Sequence, residues 1–212
     1  QGTPYFNFYG GALELKLMSL MKYDAGTIGN HEFDNGIDGL LAPLHHAKFD
    51  LINSNYDFSN TVMNGHTKPY QIFEKGGVKI GVFGLGVQLE GLVTKSAYKE
   101  TVYLDPIEIA QDMSKLLKHE KHCDLVICLS HLGYEYTKTD QVSDVKIAQN
   151  TKDIDLIIGG HTHTFLEKPT EIENAIGKTV LVNQVGCHGL YLGRVDFYLE
   201  ESQKNNGESL SI

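Results

Sequence analysis

The chain has 212 residues, 41% of them hydrophobic and 21% charged, which is ordinary for one globular α/β domain with its own core. Its net charge of -9 at pH 7, without a cluster of lysines and arginines, argues against nucleic acid or an anionic membrane surface as a partner. A small phosphorylated substrate is compatible with this charge, because bound divalent cations can supply a positive field locally. No run of residues is long and apolar enough to span a bilayer.

Helical and β-type patterns alternate along the first half of the chain. The predicted elements are helices at 11–23 and 36–48 and strands at 25–28, 49–52, 70–73 and 78–83. The stripes expected to face the core are Leu13, Leu17, Leu20 and Met21 in the first helix and Ile37, Leu40, Leu41 and Leu44 in the second. Gly76-Gly77, between the last two strands, is typical of a β-hairpin.

The alternation continues in the second half. The predicted elements are helices at 106–118 and 144–150 and strands at 124–129, 154–158, 179–185 and 191–199. Pro106 fits the first turn of its helix, and Asp105 is the expected N-cap. The pattern predicts an α/β layered fold as one domain over residues 1–199, with an antiparallel hairpin inside it. The polar tail 200–212 is expected to be mobile.

Three histidine-containing blocks each follow an apolar β-type run. They are Gly29-Asn30-His31-Glu32-Phe33-Asp34, Ser130-His131 and Gly159-Gly160-His161-Thr162-His163. Ligands of α/β folds collect beyond the carboxyl ends of strands, so these loops are expected to meet at one edge of a sheet. Imidazole nitrogens and amide or carboxylate oxygens are typical ligands of divalent metals. The three blocks together therefore predict a metal centre.

The first block is the most specific of the three. Asn30 offers a neutral amide oxygen as a metal ligand, and His31 next to it could reach a substrate. Asp34 is placed to hydrogen-bond the His31 ring and favour its imidazolium form, which suits a general acid. The alternative is a turn in which Asn30 and Asp34 only cap backbone groups.

The other two blocks are more ambiguous when each is taken alone. His161 and His163 stand at i and i+2, so in an extended segment they would project to one side and could each take a different ion. They could equally form a satisfied pair at a strand end. His131 alone is best explained as a buried or capping histidine, and it gains weight only beside the other blocks. His188 is expected near the site edge without an assigned role.

The three cysteines, Cys123, Cys128 and Cys187, include no C-x-x-C pair, and their odd number argues against a disulfide framework. Cys123 and Cys128 bracket an apolar run and are expected to be small core-facing residues. The cellular compartment therefore cannot be inferred from cysteine usage.

Taken together, the motifs resemble the calcineurin-like metallophosphoesterase superfamily. The opening stretch 1–7 and the string Gly29-Asn30-His31-Glu32-Phe33-Asp34-Asn35-Gly36 are similar to its 5'-nucleotidase branch. The resemblance extends from Gln1 to about Leu199. It implies a four-layer α-β-β-α sandwich with mixed sheets, and hydrolysis of a phosphomonoester by in-line attack of an activated water. The implied substrate is a nucleoside monophosphate.

The resemblance also implies the roles of the site residues. The implied cofactors are two divalent ions, such as zinc or manganese, of which one is held by Asn30, His131 and His161 and the other by His163. His31 would be the catalytic histidine, assisted by Asp34. A periplasmic or secreted location is implied as well, although no signal segment is visible in this sequence.

Two departures from the family pattern modify these expectations. The family's Asp-x-His and Gly-Asp motifs are absent, so the first strand and three metal ligands are expected to be missing, with reduced metal occupancy and activity. The nucleobase-binding domain of many relatives is also absent, and a separate chain could supply it. Two alternatives remain open: the same fold acting on a cyclic phosphodiester or a nucleotide-sugar, and a non-catalytic binding module.

Overall fold

The computed structural model describes residues 4–138 and 140–199. In these ranges, helices α1 to α6 span Pro4–Tyr9, Ala12–Leu20, Gly36–Leu41, Lys95–Tyr98, Pro106–Lys115 and Asp144–Asn150. Strands β1 to β10 span Ala25–Gly26, Asp50–Leu51, Tyr56–Asp57, Tyr70–Lys75, Val78–Gly86, Val102–Tyr103, Leu125–His131, Leu156–Ile158, Thr170–Glu173 and Thr179–Asn183. Shorter turns of 3-10 helix lie at Asn30–Phe33 and Leu44–His46, and a π-helical turn, Leu116–Glu120, continues α5.

The largest sheet has the strand order β4-β5-β7-β8-β10-β9. Its four central strands are parallel, and both edge strands are antiparallel to their neighbours. The carboxyl ends of β7, β8 and β10 therefore meet at one edge of the sheet, where His131 ends β7 and residues 159 and 184 follow β8 and β10. This mixed α/β architecture confirms the predicted fold class. The β4–β5 hairpin is confirmed too.

One face of this sheet packs against α5 and α6. The buried residues of this core include Phe83, Val126, Ile157, Ala110 and Ile147. The helix α5 begins as predicted, with the Asp105 side chain accepting hydrogen bonds from the backbone N–H groups of Ile107 and Glu108. Cys123 and Cys128 are free and buried, which confirms their predicted place in the core.

A second core lies beneath the 3-10 turn Asn30–Phe33. Its buried residues are Ile28, Phe33, Ile37, Leu40, Tyr56, Phe58, Met63 and Leu89. Phe33 is fully buried and meets Tyr56 edge-to-face, with 5.9 Å between the ring centroids. The predicted second stripe is confirmed, because Ile37 and Leu40 are buried here. This packing anchors the turn that carries Asn30 and His31.

Two predictions about apolar patterns were wrong. In α2, Leu17, Leu20 and Met21 are 47%, 77% and 63% exposed, while Leu15 is the buried residue of this helix. Helical spacing shows that one face is apolar, but it does not show that another element covers that face. Residues 191–199 form no strand; Val195 and Phe197 instead line a cavity against the second face of the sheet. The alternation of apolar residues in 191–199 therefore reflects packing against the sheet and not pairing with another strand.

Other predictions differ in extent. The strands expected at 25–28 and 49–52 shorten to two residues each, and the helix expected over 36–48 divides into α3 and a 3-10 turn. The helix α1 was not predicted. The tail predicted at 200–212 lies outside the described residues. In the described part of the chain, no helix has the length and apolar character needed to cross a membrane.

Candidate metal centre

One oxygen atom joins the three histidine-containing blocks. The Oδ1 atom of Asn30 lies 3.2 Å from Nε2 of His131 and 3.1 Å from Nδ1 of His161. The two imidazole rings are 5.2 Å apart between centroids. These residues are more than 100 positions from Asn30 in the chain, and the parallel strand order brings them to one edge of the sheet.

A glycine allows the close approach of the first block to His131. A Cβ added at Gly29 would lie 2.5 Å from Nε2 of His131, nearer than real Cβ contacts come. The backbone N–H of Gly29 donates to the Glu32 carboxylate at 2.7 Å, which closes the start of the 3-10 turn. With Phe33 buried on the other side of the turn, the side chain of Asn30 is held toward the two imidazoles.

His31 and Asp34 form the predicted pair. Nδ1 of His31 lies 2.9 Å from Oδ2 of Asp34, and both side chains are substantially exposed. The contact fixes the orientation of the ring and leaves Nε2 as the nitrogen available to a substrate. This hydrogen bond confirms the predicted contact, whereas the catalytic role of the pair remains a prediction.

The loop with His161 and His163 is not the extended segment that the i, i+2 argument assumed. Both residues have left-handed backbone, with φ of 72° at His161 and 54° at His163. The two rings consequently go to different places. His161 contacts Asn30, whereas the exposed His163 ring lies 6.0 Å from that of His188, measured between centroids. His188 is thus near the site edge, as expected.

The imidazoles form one electrostatic cluster. Burial first, and then the neighbouring imidazoles of His161 and His31, lower the pKa of His131 to about 3. The pKa of His161 is lowered as well, first by burial and then by the charges of His163 and His31. His131 and His161 are therefore neutral near pH 7, which is the form that ligates a metal.

The donor set fits a divalent metal in part. One amide oxygen and two neutral imidazole nitrogens converge, and these atom types suit zinc or manganese. They are one ligand short of the four that tetrahedral coordination requires. Among the described residues, no three histidine, cysteine, aspartate or glutamate side chains are grouped to hold an ion. The described residues thus offer three of the donor atoms that such a site needs, and their role as metal ligands remains a prediction.

Sequence reasoning missed the buried polar residues beneath the loops. Gln184 and Asp144 are 1% and 0% exposed, and Ser130 donates its hydroxyl hydrogen to the Asp144 carboxylate. Gln184 directly follows β10, so it stands at the end of an apolar strand just as the histidine-containing blocks do. That position is a usable signal, although an uncharged amide stands out less in the sequence than the imidazoles do.

The model of the calcineurin-like phosphoesterase family matches residues 4–165, which is more than half of the chain. The chain therefore belongs to the calcineurin-like phosphoesterase family. This confirms the resemblance drawn from the three histidine-containing blocks.

Several relatives are nucleotide phosphoesterases by name. The chain is 33% identical to the trifunctional nucleotide phosphoesterase protein YfkN of Bacillus subtilis (strain 168), over 94% of this chain and 15% of that protein. It is 31% identical to snake venom 5'-nucleotidase of Crotalus adamanteus, over 95% and 36%. The crystal structure of a 5'-nucleotidase precursor from Thermus thermophilus matches with a TM-score of 0.78 at 33% identity, over 87% and 37%. The chain thus spans less than two fifths of each of these three proteins.

Proposed function

We propose that this chain is the phosphoesterase domain of a metal-dependent 5'-nucleotidase-type hydrolase. The reaction would be hydrolysis of a phosphomonoester, with a nucleoside monophosphate as the substrate. The observation that carries the proposal is the convergence of Asn30, His131 and His161 at one sheet edge, next to the His31–Asp34 pair. The names of the relatives support the class of substrate.

In this proposal the ligands are divided between two ions. Asn30, His131 and His161 would hold one divalent ion, and His163, whose ring diverges from that of His161, would hold the other. When bound, such ions polarise a phosphoryl oxygen and lower the pKa of a water. The neutral amide of Asn30 contributes a ligand without adding negative charge. An anionic phosphate therefore meets no repulsion from this side chain.

His31 would act on the phosphoryl group itself. Nδ1–H of His31 donates to Asp34, so a ring protonated at both nitrogens can donate its Nε2–H to an oxygen of the phosphoryl or leaving group. In that form the ring stabilises negative charge developing on those oxygens. His31 would thus supply a proton or a hydrogen bond, while the other histidines serve as ligands.

Two further features belong to the same proposal. A separate chain or a further domain would bind the nucleobase, because the residues at this site address only the phosphoryl end of a substrate. The location would be periplasmic or secreted, as one relative is a snake venom protein and another, of known structure, is a 5'-nucleotidase precursor.

The test is product formation with Mn²⁺ or Zn²⁺, followed by chromatography, using AMP, 2',3'-cyclic AMP and UDP-glucose as substrates: AMP gives adenosine and phosphate, and the other two give a nucleoside monophosphate. The chain is assayed as it stands and in a version extended upstream with the family's Asp-x-His and Gly-Asp motifs. We expect metal-dependent hydrolysis of AMP that is stronger in the extended version and lost with His31→Ala.

Each alternative function has its own outcome in this assay. If the cyclic phosphodiester or the nucleotide-sugar is hydrolysed faster than AMP, that compound and not a nucleoside monophosphate is the substrate. Metal binding without turnover of any substrate, in both versions, would instead support a non-catalytic binding module.

A further inference from the structure

The loop that carries His161 and His163 adopts a backbone that its own residues disfavour. Left-handed φ is unfavourable for a residue with a Cβ, and His161 and His163 both adopt it, with only Thr162 between them. The local hydrogen bond from the backbone N–H of Thr162 to the carbonyl of Gly160, at 2.9 Å, does not reach His163 or the residue after it. The loop must therefore be held by contacts from another element.

The side chain of Gln184 supplies three of these contacts, beside the backbone N–H of Tyr134, which donates to the Thr162 hydroxyl oxygen at 2.9 Å. Its Nε2 donates to the carbonyl oxygen of Gly160 at 2.7 Å. Its Oε1 accepts from the backbone N–H of Thr164 and from the hydroxyl of Thr162, the latter at 3.2 Å. One carboxamide thus binds the loop before His161, between the two histidines, and after His163.

The position of Gln184 is itself fixed. It is 1% exposed and directly follows β10. Its backbone carbonyl accepts from the N–H of Leu166 at 3.0 Å, and Gly186 N–H donates to the carbonyl of Thr164 at 2.8 Å. Gln184 therefore holds the loop from the same sheet whose carboxyl edge carries His131.

Close packing on the other side of Gln184 leaves little room for the loop to move. A Cβ added at Gly159 would lie 2.1 Å from Oδ2 of Asp144 and 3.1 Å from Nε2 of Gln184. Gly159 thus lets the buried carboxyl and carboxamide groups reach the strand end directly beneath the loop.

We propose that Gln184 is a positioning residue for the metal centre: its carboxamide clamps the 160–164 loop and fixes the left-handed backbone that sends His161 and His163 in different directions. The inference rests on the proposed function for its use of metal, but the clamp itself concerns the loop alone. Without the clamp the two imidazoles would no longer be held for separate ions. Losses in the shell around metal ligands typically lower affinity about 10–100-fold.

The test compares Gln184→Met, which has a similar shape but cannot bind the loop, with a matched control. Asn174 is also a buried amide, 6% exposed, that donates to the carbonyl of Lys152 and accepts from the N–H groups of Ile176 and Lys178. It closes the turn between β9 and β10, at the end of β10 away from the site. Asn174→Leu therefore removes an equivalent clamp without touching the loop.

Two measurements are made on each variant of the 212-residue chain. In metal-free protein, amide hydrogen exchange at Thr164 should quicken about tenfold in Gln184→Met, the change expected for one net hydrogen bond, and stay unchanged in Asn174→Leu. By Mn²⁺ calorimetry, affinity should fall about 10–100-fold in Gln184→Met and remain within about twofold in Asn174→Leu. A shared loss of stability cannot produce this contrast.

If Gln184→Met fails to fold, Gln184→Asn replaces it, since its carboxamide stays polar but is one methylene shorter and cannot reach all three points of the loop. We then expect faster exchange at Thr164 and weakened Mn²⁺ binding in Gln184→Asn. Wild-type exchange and affinity in Gln184→Met, or in Gln184→Asn, would overturn the clamp. A wild-type chain that binds no Mn²⁺, but whose Thr164 exchange still depends on Gln184, would refute the proposed metal function and leave the clamp standing.

Discussion

The buried carboxyl group of Asp144 should make the stability of this domain fall as the pH rises. Asp144 is 0% exposed; its Oδ1 accepts the hydroxyl hydrogen of Ser130, and its Oδ2 has no hydrogen-bond partner among the described residues. Burial raises the pKa of Asp144 from 3.8 to about 7, while the Ser130 hydrogen bond opposes the rise. Between these two pKa values, the unfolded chain releases the proton and the folded chain keeps it.

The sign and size of the effect follow from proton linkage. Stability falls with pH wherever the folded state binds more protons than the unfolded state, here from about pH 4 to about pH 7. A pKa difference of about 3 units, at about 1.4 kcal/mol per unit, corresponds to about 4 kcal/mol in total. Between pH 5 and pH 8, about 3 kcal/mol of this loss should develop.

The assay is urea unfolding of wild type and Asp144→Asn from pH 5 to pH 8. The asparagine oxygen can still accept from Ser130, but the residue no longer titrates. The stability gap is the difference in free energy of unfolding between the variant and wild type. The packing cost of the substitution is similar at every pH, so a change of this gap with pH reports only the titration of the carboxyl group. We expect the variant to gain about 3 kcal/mol relative to wild type by pH 8.

Asp112→Asn, an exposed substitution on α5, is the control and should show a gap that does not change with pH. If the gap between Asp144→Asn and wild type is equally constant, Asp144 is not the group that holds a proton in the folded state. The reasoning from burial would then be refuted.

Three further predictions concern the metal centre. In the metal-loaded chain extended upstream, His31→Ala should lower kcat about 10²–10⁴-fold and leave the metal content unchanged. His161→Ala should instead lower the metal content. Equal loss of metal in the two variants would contradict the proposed roles. Calorimetry of the 212-residue chain with Mn²⁺ should find at most one well-occupied site, and two tight sites would contradict this. Gly29→Ala places a Cβ 2.5 Å from Nε2 of His131, so Mn²⁺ affinity should fall at least about tenfold, and unchanged affinity would refute the packing argument.

The sequence was sufficient where local chemistry decides the structure. Asp105 caps α5 because a carboxylate before a helix accepts its first backbone N–H groups, and Gly76-Gly77 closes a hairpin because both glycines accept positive φ. The edge on which the histidines meet was predictable as well, because parallel strands place their carboxyl ends together.

The sequence was insufficient where a distant element decides the conformation. Leu17 and Leu20 lie on an apolar face that no described element covers, and this cannot be inferred from their spacing. The left-handed backbone at His161 and His163 contradicts the extended geometry that an i, i+2 pattern indicates. That conformation depends on Gln184, about 20 residues further along, whose position depends on the pairing of β8 with β10.

These two outcomes have one physical origin. Each strand end can supply one or two ligands at a place that the sheet fixes, so the strand order brings His131 and His161 together, and the packing of Phe33 in the second core places Asn30 against them. The directions of the side chains within those loops require buried polar contacts, because left-handed backbone is not maintained by apolar packing alone. The sheet and the second core therefore determine which residues form the site, and buried amides such as Gln184 determine where the imidazoles of the 160–164 loop go.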